Sequence, residues 1–235
     1  MLMLTLNHIS GGYLRKPIVE DIHFQVDYGE IVALVGLNGA GKSTTLRLIT
    51  GTLRPMSGDI TLNGHEWLKE RGSMAHIPDT PQLYPNLTIK EHLDFIMRLY
   101  PNSSVDYLNK QLERYSLLPH LEKYPYALSK GTQQKVSILL ALLTNPRYLI
   151  VDEPFMGLIR LAYSLFLEDL HQLKEKGTAI LLSTHLLAIA EDLCDRVVII
   201  NKGKQLKYNG NPSIHLKEMK AGSLQSVFFS MIGEK

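Results

Sequence analysis

Two short stretches carry residues whose types and spacing suit chemistry on a phosphoryl group. The first, Gly36-Leu37-Asn38-Gly39-Ala40-Gly41-Lys42-Ser43-Thr44, satisfies the pattern G-x-x-x-x-G-K-[ST]. Glycines let such a loop curl until its backbone N–H groups converge on a polyphosphate, and a helix starting behind it adds a favourable dipole. Lys42 is then placed to neutralise the β and γ phosphates, and the Ser43 hydroxyl to ligate Mg²⁺. A dinucleotide-binding fingerprint does not fit, because Thr44 stands where its third glycine belongs. The second stretch, Leu149-Ile150-Val151-Asp152-Glu153, is an apolar run ending in two carboxylates. Charges at the end of a buried strand need a polar cleft or a metal. Asp152 suits a Mg²⁺ ligand, direct or through water, and Glu153 suits the base that orients water for attack on a γ phosphate. Pro154 breaks the strand and turns Glu153 toward the nucleotide. An isolated Asp-Glu pair is commonly no more than a solvated strand end; beside the glycine-rich loop, the two stretches together read as a nucleoside triphosphate site.

The elements that must hold these residues are visible in the apolar pattern. Residues 31–35 are apolar on both faces, the mark of a strand inside a parallel sheet. Residues 43–50 have helical spacing, with Leu46 and Ile49 on one side. Short strands are predicted at 5–9 and 23–26, ended by Gly11-Gly12 and Gly29. The stretch from about 88 to 145 reads as mostly helical, and 148–151 and 178–182 return to buried strand. Strand material on both sides of a helical insertion predicts an α/β core with a helical subdomain, one cooperative domain.

Composition excludes several alternatives. The chain has 235 residues, 45% apolar and 20% charged, and a net charge of +2, which fits a packed globule and gives no basic surface for nucleic acid. Apolar runs such as 138–143 and 197–200 are far too short to span a membrane. Residues 1–6 lack a basic start and a small-residue cleavage site, so no signal peptide is expected. The single cysteine, Cys194, excludes an internal disulfide and reads as a buried helix residue. His65-Glu66 opens like a zinc-hydrolase motif, but Lys69 stands where the second histidine is required. The amphipathic stretch 224–231 is expected to pack on the core rather than anchor the chain in a membrane.

A third motif, Leu128-Ser129-Lys130-Gly131-Thr132-Gln133-Gln134-Lys135, precedes an apolar helix; by itself it shows only that Ser129 is a good N-cap. Taken with the loop at 36–44, the acidic strand and Ser183-Thr184-His185, it resembles the ATP-binding subunits of ABC transporters, over nearly the whole chain. The resemblance implies a phosphate-loop (RecA-like) α/β ATPase core with an antiparallel β subdomain and an inserted α-helical subdomain. It divides the single domain 1–235 into core and β subdomain at 1–82 and 146–210, helical subdomain at 83–145 and a C-terminal helical extension at 211–235. It implies that Tyr13 stacks on adenine, that Gly36, Asn38, Gly39, Ala40, Gly41, Lys42, Ser43 and Thr44 hold the phosphates, and that His185 bonds the γ phosphate. Catalysis then falls to Glu153, His185 and Lys42, and Mg²⁺ to Ser43, Asp152 and Asp79. Ser129 and Gly131 match the signature that touches ATP bound to the opposite subunit. The implied cofactors are ATP and Mg²⁺. The implied partners are a second ATP-binding subunit, head to tail as a homodimer or heterodimer, and a transmembrane permease subunit, at the cytoplasmic face of the membrane, with no nucleic acid. The surface near 84–100 is where the permease's coupling helix docks in that family.

Residues 77–84 and 152–158 are similar to bacterial exporter subunits of the Ecs type. Two positions depart from the family. Asp79 follows Pro78 where the family has glutamine, with Gln82 three residues further on. Gly157-Leu158-Ile159-Arg160 stands where the family reads Gly-Leu-Asp-Pro; the missing aspartate helps couple the paired sites there, so ATP is expected to bind normally and to turn over less efficiently. Two alternatives stay open at this point: an ABC ATPase acting on nucleic acid or ribosomes, and a weakly hydrolysing nucleotide sensor.

Overall fold

The computed structural model describes residues 3–101, 103–155, 158–210 and 223–233. Its centre is the predicted strand β3 (Ile31–Val35), buried at every position. β3 pairs in parallel with β8 (Ala179–Thr184) on one side and β9 (Arg196–Asn201) on the other. β8 continues in parallel to β7 (Tyr148–Asp152) and then to β6 (Met74–Ile77). β10 (Lys204–Gly210) runs antiparallel to β9 and joins this sheet to an antiparallel one made of β1 (Met3–Tyr13), β2 (Lys16–Asp27), β4 (Ser57–Leu62) and β5 (His65–Glu66). The strand order is β5-β4-β1-β2-β10-β9-β3-β8-β7-β6.

Alternation along β3 feeds two cores, as side chains of period two must. Ile31, Ala33 and Val35 join an apolar cluster with Leu93 of α3 (Ile89–Leu99), Leu112 of α4 (Val105–Arg114), Leu139 of α5 (Lys130–Leu143) and Phe166 of α6 (Arg160–Glu175). Val32 and Leu34 join the other cluster with Leu46, Leu48 and Ile49 of the helix at Lys42–Thr50, numbered α1, and with Leu4 and Ile22 of the antiparallel strands. The helix at Trp67–Glu70, α2, leads into β6. α3 starts on a reciprocal cap: the Thr88 hydroxyl accepts from Glu91 N–H, and Glu91 accepts from Thr88 N–H.

The helical segment is tied to the core by a buried carboxylate. Asp169 of α6 accepts from Arg114 Nη1 at 2.6 Å, from Tyr115 OH at 2.7 Å and from Gln111 Nε2 at 3.3 Å. Burial and the neighbouring carboxylate push the Tyr115 phenol far above its ordinary value, so it stays a donor.

Two expectations are corrected. β1 does not end before Gly11-Gly12 but runs through them to Tyr13. The glycines serve close packing in the ladder: a Cβ on Gly12 would lie 2.0 Å from the Lys16 carbonyl oxygen. Cys194 is buried as predicted but follows the helix at Leu187–Leu193, α7, rather than lying in it. Burial pushes its thiol pKa well up, leaving it inert. The stretch near 224–231 forms α8 (Leu224–Ile232), which buries Leu224, Val227 and Phe228 and bonds Leu224 N–H to Glu191 of α7. Residues 211–222 of the predicted extension lie outside the described residues. No helix among the described residues is long and apolar enough to cross a membrane.

Candidate functional site

The glycine-rich loop joins β3 to α1, whose first residue is Lys42. Gly41 has φ 111°, a left-handed conformation, and a Cβ there would lie 2.5 Å from Val19 Cγ1, so the turn into the helix requires glycine. The loop is pinned from outside: Gly203 N–H, between β9 and β10, donates to the Ala40 carbonyl at 2.9 Å. A cavity of about 290 Å³ lies against it, lined by Asn38, Gly39, Gly41, Lys42, Ser43 and Thr44, with Asp79 and Glu153 opposite.

Lys42 is almost fully buried; its ammonium donates to Gly36 O at 2.8 Å and lies 3.2 Å from Glu153 Oε1. The two carboxylates come from the end of β7. Asp152 Oδ1 accepts from Ser43 Oγ at 3.2 Å and from Ser183 Oγ at 2.5 Å. Asp152 and Ser183 are register partners across β7 and β8, which is why that hydroxyl reaches that carboxylate. Glu153 holds φ 43°, uncommon for a side chain with a Cβ, while its N–H donates to Ser183 O and Ser183 Oγ. The strained turn aims its carboxylate back into the cleft, where Oε2 lies 2.9 Å from His185 Nδ1. Oε1 is buried, and its contact with Lys42 is ionic rather than a formed hydrogen bond. Hydroxyl and carboxylate oxygens from Ser43 and Asp152 are the hard donors that Mg²⁺ takes, so these residues fit that ion.

A wider cavity of about 580 Å³ adjoins the first, sharing Asn38, Asp79 and Glu153 and adding His185 together with Lys130, Gln133 and Gln134 of α5. Asp79 lines both cavities, but its carboxylate accepts from Thr80 N–H at 2.7 Å; among the described residues, no hydrogen bond joins it to Ser43 or Asp152. Ser129 caps α5, accepting from Thr132 N–H, and is exposed at that helix start beside Gly131; neither lines the cleft. Tyr13 is 41% exposed with its hydroxyl accepting from Arg47 Nη1 at 2.6 Å, and it lines neither cavity.

Three residues of the site receive no role from the sequence, although Ser183 and Gln134 fall within its motifs. Ser183 is central, and its signal is a hydroxyl near the end of an apolar strand. Gln134 is 2% exposed at the cleft wall, and neither of its amide atoms has a hydrogen-bond partner among the described residues. Ile18 lines the smaller cavity from β2 with no local signal.

Ile159, where the family has aspartate, is the N-cap of α6 but makes no side-chain cap bond and is 68% exposed. Arg160 then puts a cation at the positive end of that helix. Gly157 lies outside the described residues.

Comparison with known proteins identifies the family of the chain and bears out its fold. Residues 19–156 match the family described as ABC transporter. The chain is 37% identical over 245 aligned residues to the ABC-type transporter ATP-binding protein EcsA of Bacillus subtilis, covering 100% of this chain and 98% of that one. It is similar to a solved ATP-binding subunit of an ABC transporter, with a TM-score of 0.90 and 40% identity over 98% of this chain and 99% of the other. It is also similar to cbiO1 of Clostridium perfringens, described as part of the ABC transporter complex cbiONQ, with a TM-score of 0.72 and 25% identity over 92% and 91%.

Proposed function

The chain belongs to the ABC transporter family as an ATP-binding subunit that hydrolyses ATP, and from that premise we propose how its residues do so and what they drive. The observation that carries the reading is a pair of contact sets beside two adjoining cavities, Lys42–Glu153–His185 and Ser43–Asp152, with contacts of 2.9–3.2 Å. The loop N–H groups and Lys42 hold the β and γ phosphates, and Tyr13 supplies the adenine contact from the edge of the β subdomain. Ser43 and Asp152 would hold Mg²⁺, with Asp79 nearby on the cleft wall; the ion would supply charge neutralisation on the phosphate oxygens.

Glu153 accepts a proton from water as the water oxygen bonds to the γ phosphorus. The bond to the β–γ bridging oxygen breaks, and ADP leaves with that oxygen. His185, hydrogen-bonded to Glu153 Oε2, orients the carboxylate and faces the γ phosphate from the same cleft. Ser129 and Gly131 complete the site of a second copy or a paralogous subunit, because Ser129 is exposed, Gly131 is half-buried and both lie outside their own cleft. Two such subunits close head to tail on a permease at the cytoplasmic membrane face, in an exporter-type transporter. Phosphate release from Mg-ATP by the purified chain tests the core of this reading. Lys42→Ala is expected to abolish nucleotide binding and turnover; unchanged turnover would overturn it.

A further inference from the structure

Outside both cavities of the nucleotide site, three exposed side chains with metal-binding chemistry meet on the β1–β2 ladder. We propose that His8, Asp21 and His23 form a site for one divalent transition-metal ion, Zn²⁺ by the chemistry of the set. Two irregularities of register build it. Between the pairs Leu6–Phe24 and Ile9–Ile22, β1 carries two residues, Asn7 and His8, opposite the single His23 of β2. Between Ile9–Ile22 and Gly11–Val19, β2 carries the extra residue, Glu20 and Asp21 against Ser10. Plain alternation from the buried Leu4 and Leu6 would point His8 into the core. The first bulge turns it outward instead, with φ 50°; the second sets Asp21 beside it, with φ 56°.

The result is a mixed nitrogen and oxygen cluster with little packing on it. His8 Nδ1 lies 2.6 Å from Asp21 Oδ1, and both side chains are about 70% exposed. The His8 and His23 rings stack with centroids 4.8 Å apart. One donor atom from each of the three residues lies within 4.8 Å of the others. Tetrahedral Zn²⁺ with bonds of about 2.0–2.1 Å holds its ligands about 3.3 Å apart, a distance these exposed side chains reach by rotation. His23 Nδ1 is 3.2 Å from the Asp21 carbonyl oxygen; donating there fixes the tautomer and leaves Nε2 with a lone pair, as outer-shell bonds of metal-bound histidines do. Two imidazoles select against Mg²⁺ and Ca²⁺, which prefer all-oxygen sets. Water completes the coordination on the solvent side. A bound ion would clamp two bulges that the ladder otherwise leaves strained.

The test is calorimetric titration of the untagged full chain with ZnCl₂, in parallel with His8→Asn, His23→Gln and the double variant. Asparagine tolerates the left-handed backbone at position 8, and position 23 is a regular exposed strand position, so at least His23→Gln folds normally. The proposal predicts one saturable Zn²⁺ per wild-type chain, weakened at least about tenfold in each variant. It also predicts no displacement by millimolar Mg²⁺, a Zn²⁺-dependent rise in Tm for wild type alone, and unchanged Mg-ATP hydrolysis in the variants. No saturable binding, equal binding by the double variant, or displacement by Mg²⁺ would overturn it.

Discussion

Lys42 Nζ lies 3.2 Å from Glu153 Oε1, with both side chains largely removed from solvent. The ammonium assigned to the phosphates and the carboxylate assigned to activate water thus form an ion pair with each other. On the proposed reading, an incoming polyphosphate would compete with Glu153 for the same cation. Drawing Lys42 away leaves Glu153 held by His185 and by the backbone of a strained turn, with one oxygen free for water. Substrate binding and activation of the base are then a single exchange of partners.

Ser183 is the residue on which both carboxylates depend. Its hydroxyl donates to Asp152 and accepts from Glu153 N–H, at a fully buried position. Ser183→Ala is expected to destabilise the fold by about 1–3 kcal/mol, the cost of a buried polar group left unpaired. Because the Glu153 turn loosens, kcat is expected to fall more than ATP affinity. Steady-state kinetics and urea denaturation read the two effects separately; unchanged kcat would deny Ser183 a positioning role.

Restoring the family's Asp-Pro at 159–160 is expected to act twice. Aspartate at the N-cap and proline at the first helical position are both favoured, and the cation at the helix's positive end is removed. Ile159→Asp with Arg160→Pro should therefore stabilise α6 by about 1–2 kcal/mol, near 2–4 °C in Tm for each kcal/mol in a chain of this size, and also raise turnover. Ile159→Ser separates the causes, since it caps the helix without a carboxylate. Equal turnover in Ile159→Ser and the double variant would assign the gain to the cap alone.

Asp169 joins α6 to Arg114, Tyr115 and Gln111 at the end of α4. Removing one member of such a buried set leaves the others uncompensated, so Asp169→Ala is expected to cost about 3–5 kcal/mol. The urea midpoint should drop accordingly. A loss under about 1 kcal/mol would show that the helical segment is held by its apolar contacts instead.

The glycine-rich loop was legible because its neighbours in space are its neighbours in sequence: residues 31–44 are a strand, a turn and a helix start in unbroken order. The acidic strand end was legible only as an apolar run stopping at two carboxylates, since its partners Ser43 and Ser183 lie 109 and 31 residues from Asp152. The ends of β1 and β2 were not. Gly11 and Gly12 read as a turn, since nothing local tells a glycine that bends the chain from one that lets two backbones approach. Ser183 was hidden for a related reason: its role exists only once β8 is in register with β7. The same holds for His8, which alternation alone would send inward, and for Asp169, whose partners lie more than 50 residues away.

The exchange between Lys42 and Glu153 is tested most directly by measuring ATP affinity and turnover together in Glu153→Gln. Removing the carboxylate takes away both the base and the competitor for Lys42. Hydrolysis is expected to fall by about 10²–10⁴-fold, the contribution of a positioned general base, while ATP binds several-fold more tightly than to wild type. Turnover near the wild-type rate, or weaker ATP binding in the variant, would contradict the account.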